Sequence, residues 1–254
     1  MLRLTDWVHL ALATHLSPGD RCLDATLGNG HDAAELARLV GPSGRVHGID
    51  LQPEALAACR ARLGEHPAFL PLLGDHAELG ELLPPEDRGS LRAVVFNLGF
   101  LPGGDHALVT RAATTARALD AARSWLAPDG AIACTCYPGH EHGPEEAEVV
   151  EAWFATMASS GDRVTRIERR ATRGAAPFLH WLEAPAAPRW GRRRAGTQPR
   201  SMKSTRPEAT SYMAPTTSIS PASFISRSTS LSARMCSIVA PTFASATACT
   251  KAAL

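Results

Sequence analysis

The run Arg21-Cys22-Leu23 followed by Asp24-Ala25-Thr26-Leu27-Gly28-Asn29-Gly30-His31 constrains this chain more than any other stretch. It reads as a strand that ends in a carboxylate, turns on two glycines and enters a helix. Glycine reaches backbone conformations closed to other residues and lets a ligand approach the main chain closely. The free N–H groups of the following helix favour polar or anionic groups. About twenty residues past the glycines, Val46-His47-Gly48-Ile49-Asp50 is a second apolar strand ending in an acid, the position that receives ribose hydroxyls in nucleotide-binding sheets. Together the two segments predict a nucleoside-bearing ligand at the carboxyl edge of a parallel sheet.

The rest of the chain repeats the alternation. Apolar residues at helical spacing (Leu4, Trp7, Val8, Ala11, Leu12) predict a helix over 4–16, stopped by Ser17-Pro18-Gly19-Asp20. Strands are predicted over 21–25, 45–50, 69–73, 91–97 and 131–137, with helices over 31–40, 53–63, 110–126 and 144–159. The Gly74-Asp75-His76 turn leads into a short helix closed by Pro84-Pro85, and Pro128-Asp129-Gly130 turns the chain into the fifth strand. Two last strands, over 163–169 and 178–183, predict a closing antiparallel hairpin. Such alternation means right-handed βαβ units and an α/β fold: a mainly parallel seven-stranded sheet with helices on both faces. Residues 1–185 have ample apolar content for one domain. Residues 186–254 are Ser, Thr, Ala, Pro and Arg with isolated apolar residues, a composition expected to stay disordered as a basic tail.

Spacing narrows the ligand. Ala33 satisfies the small third position of a dinucleotide fingerprint, so a nicotinamide cofactor and a dehydrogenase stay open on the motif alone. Asp24 argues the other way. A carboxylate at the strand tip repels a pyrophosphate and suits the cationic methionine end of S-adenosylmethionine. A cofactor-binding module without catalysis is a third alternative.

Composition excludes several classes. No apolar run reaches the roughly 18 residues of a membrane span. The six cysteines form no C-x-x-C pair and no metal spacing; Cys22 and Cys134 fall inside strand patterns as buried thiols, and a reduced cytoplasmic compartment is expected. Both lysines, Lys203 and Lys251, lie in the tail, and beyond Trp190 the sole acid is Glu208. The body is therefore acidic, and any RNA contact must come from a local basic patch or the tail.

In an open α/β sheet the ligand sits beyond the carboxyl ends of the strands. Asp75, after the third strand, can accept from an adenine amino group or cap the short helix. The fourth strand delivers Asn97-Leu98-Gly99-Phe100-Leu101-Pro102-Gly103-Gly104-Asp105. Its amide followed by an aromatic partly matches the N-P-P-[YF] signature of methyltransferases acting on amino nitrogens. There an Asn carbonyl aims the amine lone pair, and positioning is the main task because a sulfonium is already a good leaving group. An aliphatic amine must also lose a proton, which needs a base or a water path. The fifth strand ends in Tyr137-Pro138-Gly139-His140-Glu141-His142-Gly143-Pro144-Glu145-Glu146. Two histidines two positions apart on a Pro/Gly loop make a poor metal site. A loop for substrate or proton handling, with His140 or Tyr137 as base, is expected instead.

In this order and spacing D-A-T-L-G-N-G-H-D, I-D-L-Q, F-N-L-G-F-L-P-G-G-D and Y-P-G-H-x-x-G-x-E-E resemble the family long known as rRNA methylases. Its members are understood as tRNA 5-(aminomethyl)-2-thiouridine methyltransferases. The resemblance covers about residues 4–183. It implies a Rossmann-like class I methyltransferase fold, S-adenosyl-L-methionine as cofactor and methylation of the aminomethyl group of a wobble uridine. The implied partner is the tRNA anticodon region, with no membrane and with a homodimer left open; rRNA or a small-molecule amine are the alternative substrates. Carried onto this chain, the cofactor set is Asp24, Thr26, Gly28, Asn29, Gly30, His31, Asp32, Asp50, Gln52, Asp75, His76, Asn97, Leu98 and Gly99. The substrate set is Phe100, Pro102, Gly103, Asp105, His140, Gly143 and Glu146, and the catalytic set Asn97, Tyr137 and His140. Phe100 stands where the family often has tyrosine, and His106 where lysine is common. Arg173-Gly174-Ala175-Ala176-Pro177 replaces a usually Asn-containing segment.

Overall fold

The structure, a computed structural model, describes residues 2–99, 109–168 and 175–186. The expected disordered tail over 186–254 therefore lies, apart from Ala186, outside the described residues, as do Phe100, Pro102, Gly103, Asp105 and His106.

Seven strands, β1 (Arg21–Asp24), β2 (Arg45–Asp50), β3 (Phe69–Leu73), β4 (Leu91–Asn97), β5 (Leu126–Cys136), β6 (Arg163–Glu168) and β7 (Phe178–Glu183), form one sheet of order β3-β2-β1-β4-β5-β7-β6. The first five are parallel; β7 runs antiparallel to both β5 and β6. The expected terminal hairpin is thus present, with its second strand inserted inside the sheet and β6 left at the edge. That edge carries Arg163, Arg166 and Glu168, charges that discourage pairing with another chain.

Period-two side chains explain the layers. Along β4 and just beyond it, Val94, Phe96 and Leu98 join the core under α4 (Leu79–Leu82), α5 (Ala112–Trp125) and α6 (Gly143–Ser159). Ala93 and Val95 face the opposite core, under α1 (Leu4–His15), α2 (His31–Val40) and α3 (Pro53–Leu63). Each buried Leu, Val or Phe contributes about 1.5–3 kcal/mol, so both faces hold the central strands firmly. Cys22 and Cys134 are buried free thiols as expected.

One boundary differs. The strand expected from residue 131 begins at Leu126, because the Pro128-Asp129-Gly130 turn is folded into it as a bulge opposite Leu91–Ala93. Asp129 adopts φ 61°, which a short carboxylate side chain tolerates. Gly130 passes so close to β4 that a Cβ there would stand 2.7 Å from the Leu91 carbonyl oxygen.

Strand order also locates the site. From β1 the chain winds outward to β2 and β3, then returns to β4 on the other side. The carboxyl ends of β1 and β4 therefore flank the crevice where sheet order reverses.

Candidate active site

A cavity of about 680 Å³ opens at that crevice. Twelve of the fourteen cofactor residues expected from sequence line it: Thr26, Gly28, Asn29, His31, Asp32, Asp50, Gln52, Asp75, His76, Asn97, Leu98 and Gly99. Tyr137 and His140 line it too. Asp24, Gly30, Gly143 and Glu146 do not, and each has a different reason.

Gly30 holds the turn. Its φ is 73°, and an added Cβ would sit 2.4 Å from the Cys59 sulfur of α3, so the missing side chain serves helix packing rather than ligand approach. Gly28, at φ 49°, is the glycine of this loop that lines the cavity. Beyond it α2 begins after Gly30 with no side-chain cap hydrogen bond. Arg62 of α3 braces the loop by donating to the Asn29 carbonyl at 2.8 Å.

Asp50 is held by two backbone donors, Gly28 N–H on Oδ2 and Gln52 N–H on Oδ1, each at 2.9 Å. A carboxylate has about four acceptor positions, so both oxygens keep room for ribose hydroxyls. Asp75 caps the turn after β3 by accepting from the Ala77 N–H at 2.8 Å while still facing the cavity, so capping and ligand contact coexist. His76 is buried rather than solvated, packed edge-on against Phe96. Burial pushes its pKa down against the pull of Asp75, and the ring is neutral.

Asp24 lies beneath the cavity floor, 1% exposed. Its Oδ1 accepts from the Thr26 N–H at 3.2 Å, and its Oδ2 is buried with no hydrogen-bond partner among the described residues. Burial first, and then the negative charge of Asp32, push its pKa well above the usual carboxylate range; Asp50 adds to this. Four aspartates thus crowd the carboxyl ends of β1 to β3 and the start of α2. Such a field welcomes a cation and rejects a pyrophosphate. S-adenosylmethionine fits this donor set, and a dinucleotide does not.

Asn97 closes β4. Its N–H donates to Thr26 Oγ1 at 2.7 Å, tying β4 to the cofactor loop. Its side-chain Nδ2 donates to Asp32 Oδ2 at 3.5 Å. That contact commits the amide's donor edge and leaves the carbonyl as the edge an N–H can meet. The other oxygen of Asp32 meets His9 Nε2 of α1 at 2.6 Å. His9 was invisible in sequence: it lies beside the buried α1 stripe of Leu4, Val8 and Leu12, and only the packing of α1 on α2 brings it to Asp32.

Glu146 stands behind the wall. Although it is expected to touch substrate, it is 2% exposed and accepts from Thr115 Oγ1 at 2.6 Å and Thr110 Oγ1 at 2.9 Å. Thr110 Oγ1 in turn accepts from the Gly99 N–H at 2.8 Å, and its own N–H donates to the Gly99 carbonyl at 2.9 Å. Glu146 therefore pins the two ends of the segment that follows β4. Gly143 lets α6 start against the Tyr137 and Pro138 backbone, 2.7 Å from where its Cβ would lie. Burial and the nearby Asp32 push the Tyr137 pKa up.

A family profile described as "Putative rRNA methylase" matches residues 46–183, more than half of the chain. The chain belongs to this family. A profile described as a methyltransferase domain matches residues 16–68, the segment that carries the cofactor loop. A chloroplastic tRNA (mnm(5)s(2)U34)-methyltransferase of Arabidopsis thaliana is 35% identical over 169 residues, 62% of this chain and 61% of that protein. The chain thus spans less than two thirds of that relative's length. Among solved structures, a Clostridium thermocellum protein described as a "putative rRNA-methylase" superposes with a TM-score of 0.67 at 32% identity, covering 72% of this chain and 98% of the other. A Streptococcus mutans protein described as a "putative methyltransferase" in complex with SAH gives a TM-score of 0.63 at 26% identity, covering 72% and 98%. Membership in the rRNA-methylase family confirms the family and the Rossmann-like sheet expected from the motifs, with S-adenosylmethionine the cofactor expected of the family. Among the described residues no helix is long and apolar enough to cross a membrane.

Proposed function

We propose that the chain transfers a methyl group from S-adenosylmethionine to the aminomethyl nitrogen of 5-aminomethyl-(2-thio)uridine at the tRNA wobble position. The observation that carries this reading is Asn97. Its donor edge is taken by Asp32, so its carbonyl is available to an amine N–H at the floor of the cavity. An amine oriented there has its lone pair fixed in direction, the main demand of this chemistry.

The remaining residues suit the cofactor. Asp50 receives the ribose, Asp75 the adenine amino group, and the uncapped start of α2 the methionine carboxylate. Asp32 and Asp50, which line the cavity, supply negative charge toward the amino group and the sulfonium, with Asp24 buried beneath them. When bound, the cofactor supplies a methyl group on positively charged sulfur, which an amine lone pair can take. Tyr137 donates a hydrogen bond at the rim, and Arg111, which lines the cavity, offers charge to an RNA phosphate. Phe100, Pro102, Gly103 and Asp105, which follow Gly99 in the sequence, are assigned to the uridine base. The relative from Arabidopsis, by its printed name, acts on this class of wobble nucleotide.

Nucleoside mass spectrometry of tRNA incubated with protein and isotope-labelled cofactor tests the reading. Label is expected in the 5-methylaminomethyl nucleoside, and label in another nucleoside or in none overturns it. Asn97→Ala is expected to abolish transfer and to keep S-adenosylhomocysteine affinity within a few-fold. Residues 1–185 contain every group named above, and removal of the chain after Ala186 is expected to leave transfer unchanged.

A further inference from the structure

The target of the proposed reaction is an aliphatic amine, protonated near neutral pH. It has no lone pair to offer until one N–H proton leaves. Of the two bases suggested by sequence, both of which line the cavity, Tyr137 has its pKa pushed up by burial, while His140 lies on the loop after β5. The His9–Asp32 pair is placed differently. Asp32 lines the cavity beside Asn97, its Oδ2 3.5 Å from Asn97 Nδ2, and its Oδ1 is 2.6 Å from His9 Nε2. The Asp32 side chain is 10% exposed, whereas that of His9 is 29% exposed. The pair therefore runs from the cavity floor to solvent through a single short hydrogen bond.

We propose that Asp32 and His9 form the proton exit of the site: Asp32 takes the proton of the incoming ammonium and His9 relays it to water. This rests on the amine-methylating reading above. In the step one N–H bond of the ammonium breaks and its electron pair stays on nitrogen as the nucleophilic lone pair. The proton passes to the Asp32 carboxylate and from it to the free Nε2 of neutral His9; the imidazolium so formed releases its Nδ1 proton to solvent. No oxidant or reductant is needed, and the charge lost from the substrate leaves as hydronium.

A lone carboxylate is too weak a base for this task at neutral pH; a base performs best when its pKa lies near the working pH. Coupling to an imidazole corrects that. The hydrogen bond to Asp32 raises the His9 pKa against partial burial, with Glu35 of α2 and Asp6 of its own helix adding to the rise. Those acids are themselves engaged, Glu35 with Arg38 and Asp6 with Arg3. On its other sides Asp32 faces Asp24 of β1 and Tyr137 after β5, neither of which supplies a positive charge. His9 is therefore the group beside Asp32 that can take up its proton.

The test is a pH profile of full-length protein on tRNA carrying the aminomethyl nucleoside. His9→Gln is the main variant, because its position is part-exposed and folding can be checked by circular dichroism. At pH 7.5 it is expected to lower kcat roughly 10²-fold with KM for tRNA little changed, the size typical of losing an acid–base group. The deficit should shrink toward pH 10, where the substrate amine is already neutral. A loss flat across pH, or no loss, overturns the relay while leaving the functional reading intact. Wild-type protein that methylates no such tRNA overturns both. A second readout needs no turnover: an NMR titration of the His9 ring should give a pKa above the ordinary histidine value, falling in Asp32→Asn. An unshifted ring in the wild type also overturns the pairing.

Discussion

The two ends of the same strands treat buried charge in opposite ways. At the amino ends of β1 and β2, Asp87 is completely buried and saturated. Arg21 Nε lies 3.1 Å from Oδ1, Arg45 Nη1 3.0 Å from Oδ2, and the buried His47 Nε2 2.7 Å from Oδ2. Burial opposes ionisation, yet the His47 and Arg45 hydrogen bonds hold the Asp87 pKa below the usual carboxylate range. At the carboxyl ends, Asp24, Asp32, Asp50 and Asp75 gather with no arginine ion-paired to them among the described residues, and Asp24 is pushed up instead of down. One end has cations supplied by the fold. The other is short of them, and a fold tolerates such a deficit where a cationic ligand is to arrive.

Breaking the saturated end should have the largest effect. Asp87→Ala leaves two arginines and a histidine facing a buried gap, and removing one partner of a buried ion pair typically costs about 3–5 kcal/mol. Urea denaturation should show that loss, while calorimetry on the folded fraction should show cofactor affinity unchanged. A weakened cofactor affinity in Asp87→Ala would mean that the two ends are coupled and would remove the contrast drawn above. Asp50→Ala inverts the pattern. Hydrogen bonds to a charged group contribute about 1.5–3 kcal/mol each, so S-adenosylhomocysteine should bind roughly 10²-fold more weakly. The freed Gly28 and Gln52 N–H groups can turn to water in the open cavity, so the stability loss should be well below that of Asp87→Ala. Equal stability losses in the two variants would show that Asp50 is chiefly structural.

The contrast also explains what was legible in sequence. Strand and helix limits followed from apolar period, and the site followed from strand ends, since an acid or amide that ends an apolar run must sit at the sheet edge. Hence Asp50, Asp75 and Asn97 could be read directly. The bulge in β5 could not, because Pro128-Asp129-Gly130 has the chemistry of a free turn and only pairing with β4 reveals it as strand. His9 and the Glu146–Thr110–Thr115 cluster were also hidden. They connect residues 23 to 36 positions apart, helix to helix or helix to loop, and leave no periodic mark. Glu146 in particular has the composition of a helix-start acid exposed to solvent, and only the two threonines facing it make it a buried support. Likewise Asp87 is one more acid in a Pro-Pro-Glu-Asp turn until β1 and β2 bring their arginines to it.

The smallest effect sharpens the contrast most. Asp24→Asn keeps an acceptor for the Thr26 N–H and removes one negative charge from the crowded end. Because the folded-state pKa of Asp24 is raised above its unfolded value, the group favours folding fully only below the unfolded pKa, near 4. As pH climbs through the folded pKa that contribution is lost, and the ionised form weakens the protein at neutral pH. Asparagine does not titrate, so the variant should be more stable than wild type at pH 7, by about 0.5–2 kcal/mol, the usual gain from relieving a functional residue. The difference should narrow steadily as pH falls toward 4, which paired urea titrations can follow. Affinity for S-adenosylmethionine should fall in the same variant, since one buried negative charge beneath the cavity floor is removed. A variant that gains no stability at neutral pH would show that the folded-state pKa of Asp24 is not raised and that its carboxylate ionises there at no cost.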